Sequence, residues 1–269
     1  MKPLRDKMPP VCLTIAGLDP SGGAGVIADI KTFSALGCFG AAAISSVTFQ
    51  NTTGVFGATH QTAESVRKQV EPVIDDYQIA AIKTGMLPTL EIIKEVAGLI
   101  KKNELKNVVV DPVVRSTSGF DLIEDEALTA LIEKIFPLAD VVTPNIPEAE
   151  RISGIQITSN ADIATAAEIL RSLGARNVLI KGGHLAISNA SGRKVVDYLF
   201  IGDEMTTFES DHVDTSATHG TGCALSAAIA ANLALGKDLG DAVRISKHFV
   251  TEAIRSAPNL GKGHSPINI

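Results

Sequence analysis

The sequence has little of what marks secreted, nucleic-acid-binding and membrane-spanning proteins. It holds only three cysteines in 269 residues, Cys12, Cys38 and Cys223. An odd number at wide spacing fits neither a disulfide framework nor a zinc site, so a reducing cytoplasm is the expected compartment. No apolar run approaches the ~20 residues of a membrane span. The formal net charge of -6 comes without a basic cluster, so neither a nucleic acid nor an anionic membrane is an expected partner.

Two further absences concern the glycine-rich loop at residues 17–25. Its glycines match a dinucleotide fingerprint, which also needs an acidic residue about 20 positions later for the ribose. No Asp or Glu lies between Asp29 and Glu64, which excludes an NAD site of that kind. No Lys-Ser/Thr pair follows the glycines, which excludes a Walker P-loop. The loop alone leaves open an anion site or a helix start capped by Asp19 or Ser21.

The composition is that of a globular protein with a sizeable core. Hydrophobic residues make up 45% of the sequence and charged residues 20%, unlike disordered or fibrous chains. An α/β chain of this length commonly forms one domain, which we expect to span residues 11–269. Residues 1–10 contain three prolines and an acidic residue instead of a signal-peptide core, so we expect a disordered extension there.

Short apolar β-rich segments alternate with helical patterns along most of the sequence. The predicted strands are residues 11–16, 41–49, 79–84, 108–113, 141–143 and 178–181. The predicted helices are residues 23–36, 63–74, 89–102, 124–135, 147–152, 160–173, 222–235 and 241–257. Residues 195–201 and 205–208 form a predicted small β-hairpin edge. This pattern indicates an α/β protein with a mainly parallel, doubly wound sheet, which binds ligands at the carboxyl ends of its strands.

Residues 218–223, Thr-His-Gly-Thr-Gly-Cys, lead directly into a helix of small apolar residues. Unpaired amides and the positive end of the helix dipole make such a turn an anion site, and phosphate is its usual occupant. The helix is apolar almost all round and should be buried. Cys223 is either a reactive thiol beside this site or a small buried residue that begins a packed helix.

Polar residues end several predicted strands and therefore face one crevice. Gln50 offers the donor and acceptor needed to read an aminopyrimidine edge, although an ordinary polar loop has the same pattern. Asp111 could serve magnesium or cap the chain as it leaves the sheet. Asn145 and Glu148 have the spacing of a capping box, which spacing alone does not distinguish from a metal role for Glu148. Lys181, beside two glycines, suits a nucleotide phosphate or an ordinary glycine turn.

Together these segments resemble the hydroxymethylpyrimidine/phosphomethylpyrimidine kinases of thiamine biosynthesis, a branch of the ribokinase-like vitamin kinases. The resemblance covers nearly the whole chain after residue 10. The segments that carry it are residues 16–25 (AGLDPSGGAG), 50–52 (QNT), 83–86 (KTGM), 111–113 (DPV), 143–145 (TPN), 147–149 (PEA), 181–184 (KGGH) and 219–223 (HGTGC). Each segment alone is common, but their order and identity together are specific.

The resemblance implies a three-layer α/β/α sandwich, a homodimer, and a kinase that uses ATP and magnesium. The implied substrates are the hydroxymethyl group of 4-amino-5-hydroxymethyl-2-methylpyrimidine and then the resulting monophosphate. The implied residues are Gln50, Gly17, Asp29, Met86 and Val113 for the pyrimidine, Lys181, Asn145 and Thr221 for the nucleotide, Glu148 and Asp111 for magnesium, and Cys223 with Gly220, Thr221 and Gly222 for catalysis. A pyridoxal kinase of the same superfamily and a non-catalytic nucleotide- or metabolite-binding module are the alternatives.

By this resemblance Cys223 replaces the aspartate that sugar kinases use as base, so we expect it to accept the hydroxyl proton. A helix N-terminus lowers the pKa of a thiol, whereas the γ-phosphate of ATP raises it, and the net direction stays open. Thr48 and Arg115 stand where the resemblance leads us to expect apolar or small residues, and both bear on the shape of the substrate pocket.

Overall fold

Strands and helices alternate in the computed structural model, which describes residues 8–114, 122–182, 187–189 and 192–269. The strands are β1 (Val11–Leu18), β2 (Phe39–Asn51), β3 (Gly54–His60), β4 (Ile79–Thr84), β5 (Val108–Val110), β6 (Val141–Val142), β7 (Asn177–Ile180), β8 (Ile187–Asn189), β9 (Gly192–Ile201) and β10 (Glu204–Asp211). The α-helices are α1 (Gly25–Ala35), α2 (Ala63–Asp76), α3 (Leu90–Lys102), α4 (Asp125–Lys134), α5 (Ile146–Ser153), α6 (Asn160–Ser172), α7 (Thr221–Ala234) and α8 (Leu239–Arg255). Arg115, Gly183 and His184 lie outside the described residues, as do residues 1–7.

The described strands form one sheet in the order β10-β9-β7-β6-β5-β4-β1-β2-β3, with β8 paired to β9. The central strands from β7 to β2 are parallel, while β3, β9 and β10 pair antiparallel at the edges. The strand order reverses between β1 and β4, because β2 lies on one side of β1 and β4 on the other. Such a switch point is where doubly wound sheets bind ligands. The predicted α/β class and hairpin edge are confirmed.

The helices cover both faces of the sheet, because successive residues of a strand point to opposite faces. On β1, Leu13 and Ile15 pack in one core with α2, α3, α4, α5 and α6. Cys12 packs on the other face with α1, α7 and α8. The result is the three-layer α/β/α sandwich that the resemblance implies. None of the described helices is long and apolar enough to cross a membrane.

Local differences from the prediction have simple causes. The second strand is longer than predicted and turns at residues 52–53 into β3. The sequence did not predict β3, because Gly54 and Gly57 interrupt the alternation of apolar and polar residues. The Pro10 carbonyl oxygen accepts a hydrogen bond from the Phe39 N–H at 2.9 Å, so ordered pairing begins within the predicted extension. The fifth strand ends at Val110, before Pro112, which has no N–H for a sheet ladder.

Candidate active site

A large cavity opens at the carboxyl ends of the central strands, next to the reversal in strand order. Its volume is about 1240 Å³, above the roughly 300–1,000 Å³ usual for one small ligand, so it has room for two substrates. The predicted site residues that line it are Gly17, Gln50, Met86, Asp111, Val113, Asn145, Glu148, Lys181, Gly220, Thr221, Gly222 and Cys223. Asp29 does not line it.

The anion turn, residues 218–223, begins α7 at the edge of this cavity. Gly220 precedes the helix in the left-handed conformation, with a φ of 85°, and no side chain caps the helix N-terminus. The N–H of Thr221 donates to the Thr218 carbonyl oxygen at 3.4 Å, whereas the N–H groups of Gly222 and Cys223 have no intrahelical acceptor. A Cβ on residue 220 would overlap the carbonyl oxygen of Gly23, so a larger residue displaces the turn. Residues 224–232 are all buried, which gives the turn a rigid support.

Asp19 joins the first glycine loop to the anion turn. Its carboxylate accepts hydrogen bonds from the backbone N–H groups of Ser21 at 2.8 Å and Ala24 at 2.9 Å. The Nε2 atom of His219 lies 2.7 Å from Asp19 Oδ2, although the two residues are 200 positions apart. Burial alone would raise the pKa of Asp19, but hydrogen bonds from His219 and Ser21 outweigh it and lower the pKa to about 2. Asp19 therefore holds the loop before α1 by accepting its N–H groups, while Ala24, the N-cap residue of α1, has no side-chain cap. Asp19 also fixes His219, a contact that local sequence patterns do not signal.

Cys223 lies in the first turn of α7 and lines the cavity. Burial raises the pKa of this thiol to about 11, although Lys83 and the Gly25 N–H act in the opposite direction. Burial thus outweighs the lowering expected from a helix N-terminus. In the free protein at neutral pH, the thiol is the major form and the thiolate the minor one.

Asp29 is not among the residues that line the cavity, although the prediction puts it beside the pyrimidine. Its side chain is fully buried, because α1 turns it toward β1 and β4. There it accepts hydrogen bonds from Lys83 Nζ at 2.9 and 3.0 Å and from the Thr14 hydroxyl at 2.6 Å. Its partner Lys83 does line the cavity. Burial alone would lower the pKa of Lys83, but the carboxylates of Asp29 and Asp111 outweigh it and raise the pKa, so the ammonium is charged.

Lys181 and two carboxylates form a polar cluster beside the anion turn. Lys181 Nζ donates a hydrogen bond to Asp111 Oδ1 at 2.8 Å, and a Cβ on Gly222 would lie 3.3 Å from the same Nζ. Asn145 and Glu148 form the predicted capping box at the start of α5. Burial raises the pKa of Glu148 to about 7, against the effect of Lys181. Glu148 therefore caps the helix and also lines the cavity.

This cluster fits a magnesium ion shared with substrate phosphates and does not fit a closed protein cage. Among the described residues, no group of three or more His, Cys, Asp and Glu side chains could hold a metal ion by itself. Asp111 and Glu148 supply two carboxylates, and magnesium commonly binds through one or two carboxylates together with waters and phosphates. A cation there would favour the charged form of Glu148, which burial disfavours.

A buried ion pair, which the sequence did not signal, holds the Lys181 turn. Asp197 on β9 accepts hydrogen bonds from the Gly182 N–H at 2.9 Å and from Lys247 Nζ at 2.7 Å. The side chains of Asp197 and Lys247 are each 7% exposed, and both line the cavity. Three segments that are distant in sequence meet here, so only the fold shows the contact.

Gln50 lines the cavity on the same face of β2 as Thr48, two residues earlier. The register of β2 on β3 shifts between Phe49 and Gln50, where Phe56 is the extra residue on β3. Phe49 points to the opposite face of β2 and is 52% exposed. Thr48, on the same strand, is buried and donates a hydrogen bond to the Leu18 carbonyl at 2.9 Å. Its hydroxyl therefore ties β2 to β1 and presents an acceptor, not a donor, to the cavity.

The predicted neighbours of the pyrimidine lie at the ends of β1, β4 and β5. A Cβ on Gly17 would lie 3.1 Å from the sulfur of Met86, so glycine lets this methionine pack against the backbone. The Ser45 hydroxyl donates a hydrogen bond to the Met86 carbonyl at 2.6 Å, which fixes the segment after β4. Val113 follows β5 and lines the same cavity.

The C-terminal tail connects the turn after Gln50 to the anion turn. The Thr52 carbonyl oxygen accepts a hydrogen bond from the His264 N–H at 2.8 Å. One residue later, the carbonyl oxygen of the buried Ser265 accepts a hydrogen bond from the His219 N–H at 3.2 Å. The tail therefore fixes the two ends of the site relative to each other, which its sequence of glycines and prolines did not indicate.

Known proteins with this fold and similar sequences are kinases. A family model described as phosphomethylpyrimidine kinase matches residues 19–268. A hydroxymethylpyrimidine/phosphomethylpyrimidine kinase of Haemophilus influenzae is 45% identical over 257 residues, which cover 95% of each chain. The crystal structure of a phosphomethylpyrimidine kinase from Clostridium difficile is 42% identical with a TM-score of 0.79, and covers 91% of this chain and 99% of that one. An ADP complex of Bacillus subtilis pyridoxal kinase is 37% identical with a TM-score of 0.87, and covers 97% of each chain.

Proposed function

The chain belongs to the phosphomethylpyrimidine kinase family and is a phosphotransferase, and on that premise we propose that it acts in thiamine biosynthesis. It phosphorylates hydroxymethylpyrimidine with ATP and then converts the monophosphate to the diphosphate. The observation that carries this proposal is the cavity in which Gln50 and the anion turn lie together. Gln50 reads the aminopyrimidine edge, while the turn holds the phosphoryl group.

The anion turn supplies the main catalytic effect in this proposal. Phosphoryl transfer through a loose transition state needs positioning and charge stabilisation more than covalent chemistry. The amides of Gly220, Gly222 and Cys223 offset the negative charge that develops on the transferring group, and one preorganised donor is worth on the order of a hundredfold in rate. The rigid α7 holds these amides in place before the substrates arrive.

Cys223 accepts the proton of the substrate hydroxyl in this mechanism. Only the thiolate can accept a proton, and burial makes it the minor form, because the pKa of the thiol is about 11. The rate through this route therefore rises with pH across the neutral range. A loose transition state requires little deprotonation before the new bond forms, so a small thiolate fraction is compatible with turnover.

The nucleotide phosphates lie between Lys181 and the anion turn in this proposal, with Asn145 and Thr221 beside them. Lys181 is already charged and oriented by Asp111, so it donates to phosphate oxygens without a large rearrangement. Asp111 and Glu148 would hold magnesium. When bound, magnesium neutralises negative charge on the phosphate oxygens.

The deciding experiment is a coupled ADP-release assay with hydroxymethylpyrimidine, its monophosphate and pyridoxal side by side. We expect both pyrimidines to turn over with a higher kcat/KM than pyridoxal. Pyridoxal is the second candidate because a pyridoxal kinase shares the fold and much of the sequence. Turnover with pyridoxal alone would replace the proposed substrate, and turnover with none of the three would favour a non-catalytic binding module.

We further propose a homodimer in the cytoplasm. Phe49 on β2 and Phe56 on the adjacent strand β3 are 52% and 68% exposed, and β3 is an edge strand. Exposed apolar side chains on an edge strand are typical of an interface. The three cysteines are free thiols, as in a reducing compartment. Light scattering should give a dimer mass for the wild-type protein and a monomer mass for Phe56→Ser, and an unchanged mass would place the interface elsewhere.

A further inference from the structure

One buried carboxylate, that of Asp19, already holds the first glycine loop without help from any other segment. Its Oδ1 accepts hydrogen bonds from the Ser21 N–H at 2.8 Å and the Ser21 hydroxyl at 2.7 Å. Its Oδ2 accepts hydrogen bonds from the N–H groups of Gly23 at 3.2 Å and Ala24 at 2.9 Å. The loop therefore does not need a further donor, and a donor from another segment calls for a separate explanation.

That further donor is His219 of the anion turn, whose Nε2 lies 2.7 Å from Asp19 Oδ2. An ionised carboxylate only accepts hydrogen bonds, so the ring N–H donates. A hydrogen bond to an ionised acceptor is about twice as strong as a neutral one. The side chain of His219 is 12% exposed and that of Asp19 is 1% exposed, and both residues line the cavity. The contact therefore joins two walls of the cavity.

The backbones of the two segments also meet, next to this hydrogen bond. A Cβ on Gly23 would overlap the His219 ring, and a Cβ on Gly220 would overlap the Gly23 carbonyl oxygen. Glycine at both positions therefore permits the close approach. On its other side, the His219 N–H donates a hydrogen bond to the Ser265 carbonyl oxygen at 3.2 Å. His219 is thus held at both its backbone and its ring, which suits a residue that fixes its neighbours.

The two joined segments serve different halves of the proposed reaction. The first glycine loop follows the end of β1, where Gly17 lines the cavity as a proposed neighbour of the pyrimidine. The anion turn supplies the amides of Gly220 and Gly222 for the phosphoryl group. Reacting atoms must be held roughly 3–3.5 Å apart, and a displacement of about 1 Å can reduce the rate on the order of a hundredfold. A link between the segments therefore bears directly on the rate.

We propose that His219 is a positioning residue, which through its hydrogen bond to Asp19 joins the first glycine loop to the anion turn and holds the substrate hydroxyl at reacting distance from the phosphoryl group. The inference rests on the proposed kinase function. His219 transfers no proton in this role. The hydrogen bond is formed in the protein without substrates, so the site is preorganised, which is the condition for strong electrostatic stabilisation.

Two amide variants, H219Q and H219N, separate the hydrogen bond from the rest of the side chain. Glutamine places an amide N–H close to the position of the histidine Nε2, whereas asparagine is one methylene shorter and does not reach Asp19. In the ADP-release assay with hydroxymethylpyrimidine, we expect H219N to lose kcat at least about tenfold. H219Q should stay within about threefold of the wild-type kcat, and the KM for ATP should change less than about threefold in both variants.

A second loss variant and a control keep this test decisive. H219L removes the donor with an apolar side chain and should lose kcat like H219N. D140N is the matched control, because Asp140 also accepts a backbone N–H, that of Val108 at 2.9 Å, and contacts Arg176 at 2.9 Å. Asp140 lies at the amino ends of β5 and β6, away from the cavity, so D140N should keep kcat within about twofold of wild type.

Three kinetic results would overturn the proposal. Wild-type kcat in H219N and H219L would show that the link does not position the reacting groups. Equal losses of kcat in H219Q and H219N would show that the hydrogen bond is not the cause. An equal loss in D140N would show that general destabilisation explains the effect.

Hydrogen exchange followed by mass spectrometry tests the link without any kinase substrate. Amide exchange reports local opening, and a hydrogen bond to a charged group accounts for roughly tenfold or more in such an equilibrium. Peptides covering residues 17–25 and 216–224 should therefore both exchange at least about fivefold faster in H219N, and at the wild-type rate in H219Q. A peptide from α3 should not change. Wild-type exchange of both peptides in H219N would overturn the proposal.

The exchange measurement also distinguishes failure of this inference from failure of the proposed function. If the wild-type protein turned over neither pyrimidine, the proposed function would be refuted, and with it the positioning role. Faster exchange in H219N would then still show that His219 links the two segments. If the wild-type protein turned over the pyrimidines and H219N kept both kcat and exchange rates, only the inference about His219 would be refuted.

Discussion

Gly220→Ala tests whether the anion turn is the catalytic element, because two separate constraints meet at this residue. Its φ is 85°, and an added Cβ would overlap the carbonyl oxygen of Gly23. Gly236, just after α7, has almost the same backbone, with a φ of 82°, but nothing lies within 4 Å of an added Cβ. Gly236→Ala therefore measures the effect of the left-handed backbone strain alone. The difference in stability and kcat between the two variants measures the effect of the overlap with the Gly23 carbonyl oxygen.

The expected magnitudes separate stability from catalysis. An alanine in the left-handed conformation is destabilised by roughly 1–2 kcal/mol. Both variants should therefore lose at least about 1 kcal/mol of unfolding free energy, which corresponds to a decrease in Tm of roughly 2–4 °C. In Gly220→Ala the overlap must also move the Gly23 carbonyl or the turn itself. The amides then lose their alignment, and since one such donor is worth about 10²–10³ in rate, kcat should fall at least about a hundredfold.

The assay combines urea denaturation with ADP release at saturating substrate. Gly236→Ala should show the stability loss with wild-type kcat, while Gly220→Ala should show both losses. If Gly220→Ala kept more than about half of the wild-type kcat, the turn would not be the phosphoryl cradle. An equal loss of kcat in Gly236→Ala would also refute the reasoning, because the strain alone would then explain it.

Other substitutions test individual residues. Cys223→Ser should lower kcat at least about 10²-fold, within the usual range for a general base, and near-normal turnover would exclude that role. Gln50→Ala should raise the KM for the pyrimidine far more than the KM for ATP, and equal effects on the two would refute the assigned contact. Asp19 has its pKa lowered to about 2, against about 4 in an unfolded chain, so its charge stabilises the fold fully above about pH 4 and progressively less as the pH falls to 2. The stability difference between the wild-type protein and Asp19→Asn should therefore shrink over that range in urea titrations, and a constant difference would contradict the assigned hydrogen bonds.

The fold could be predicted from the sequence because its central strands are buried on both faces. Such strands are continuous apolar runs, and the fourth strand was predicted with the bounds Ile79–Thr84 that the structure has. The strand β3 was missed for the opposite reason. It lies at the sheet edge, where Phe56 faces outward, and its two glycines remove the alternation that marks a half-buried strand.

The positions that line the cavity were predictable where they are contiguous in sequence. Residues of each glycine turn are neighbours in sequence, and the carboxyl ends of parallel strands meet at one edge of the sheet. Nearly all predicted site residues therefore line the cavity. The contact of Asp19 with His219 was not predictable, because it joins residues 200 positions apart. The contact of Asp29 with Lys83 was not predictable either, since the sequence does not show which face of α1 turns toward Lys83. The pKa of Cys223 depends on burial, which only the folded chain determines.

The central claim is that the protein phosphorylates a hydroxymethylpyrimidine twice in one cavity. The most direct test is ³¹P NMR of the reaction products. With ATP and hydroxymethylpyrimidine, a monophosphate ester signal should appear first and then give way to the paired signals of a diphosphate. Gly220→Ala should form neither product at a comparable rate. A spectrum that shows only ATP and its hydrolysis products, or phosphorylation of pyridoxal but of neither pyrimidine, would contradict the account.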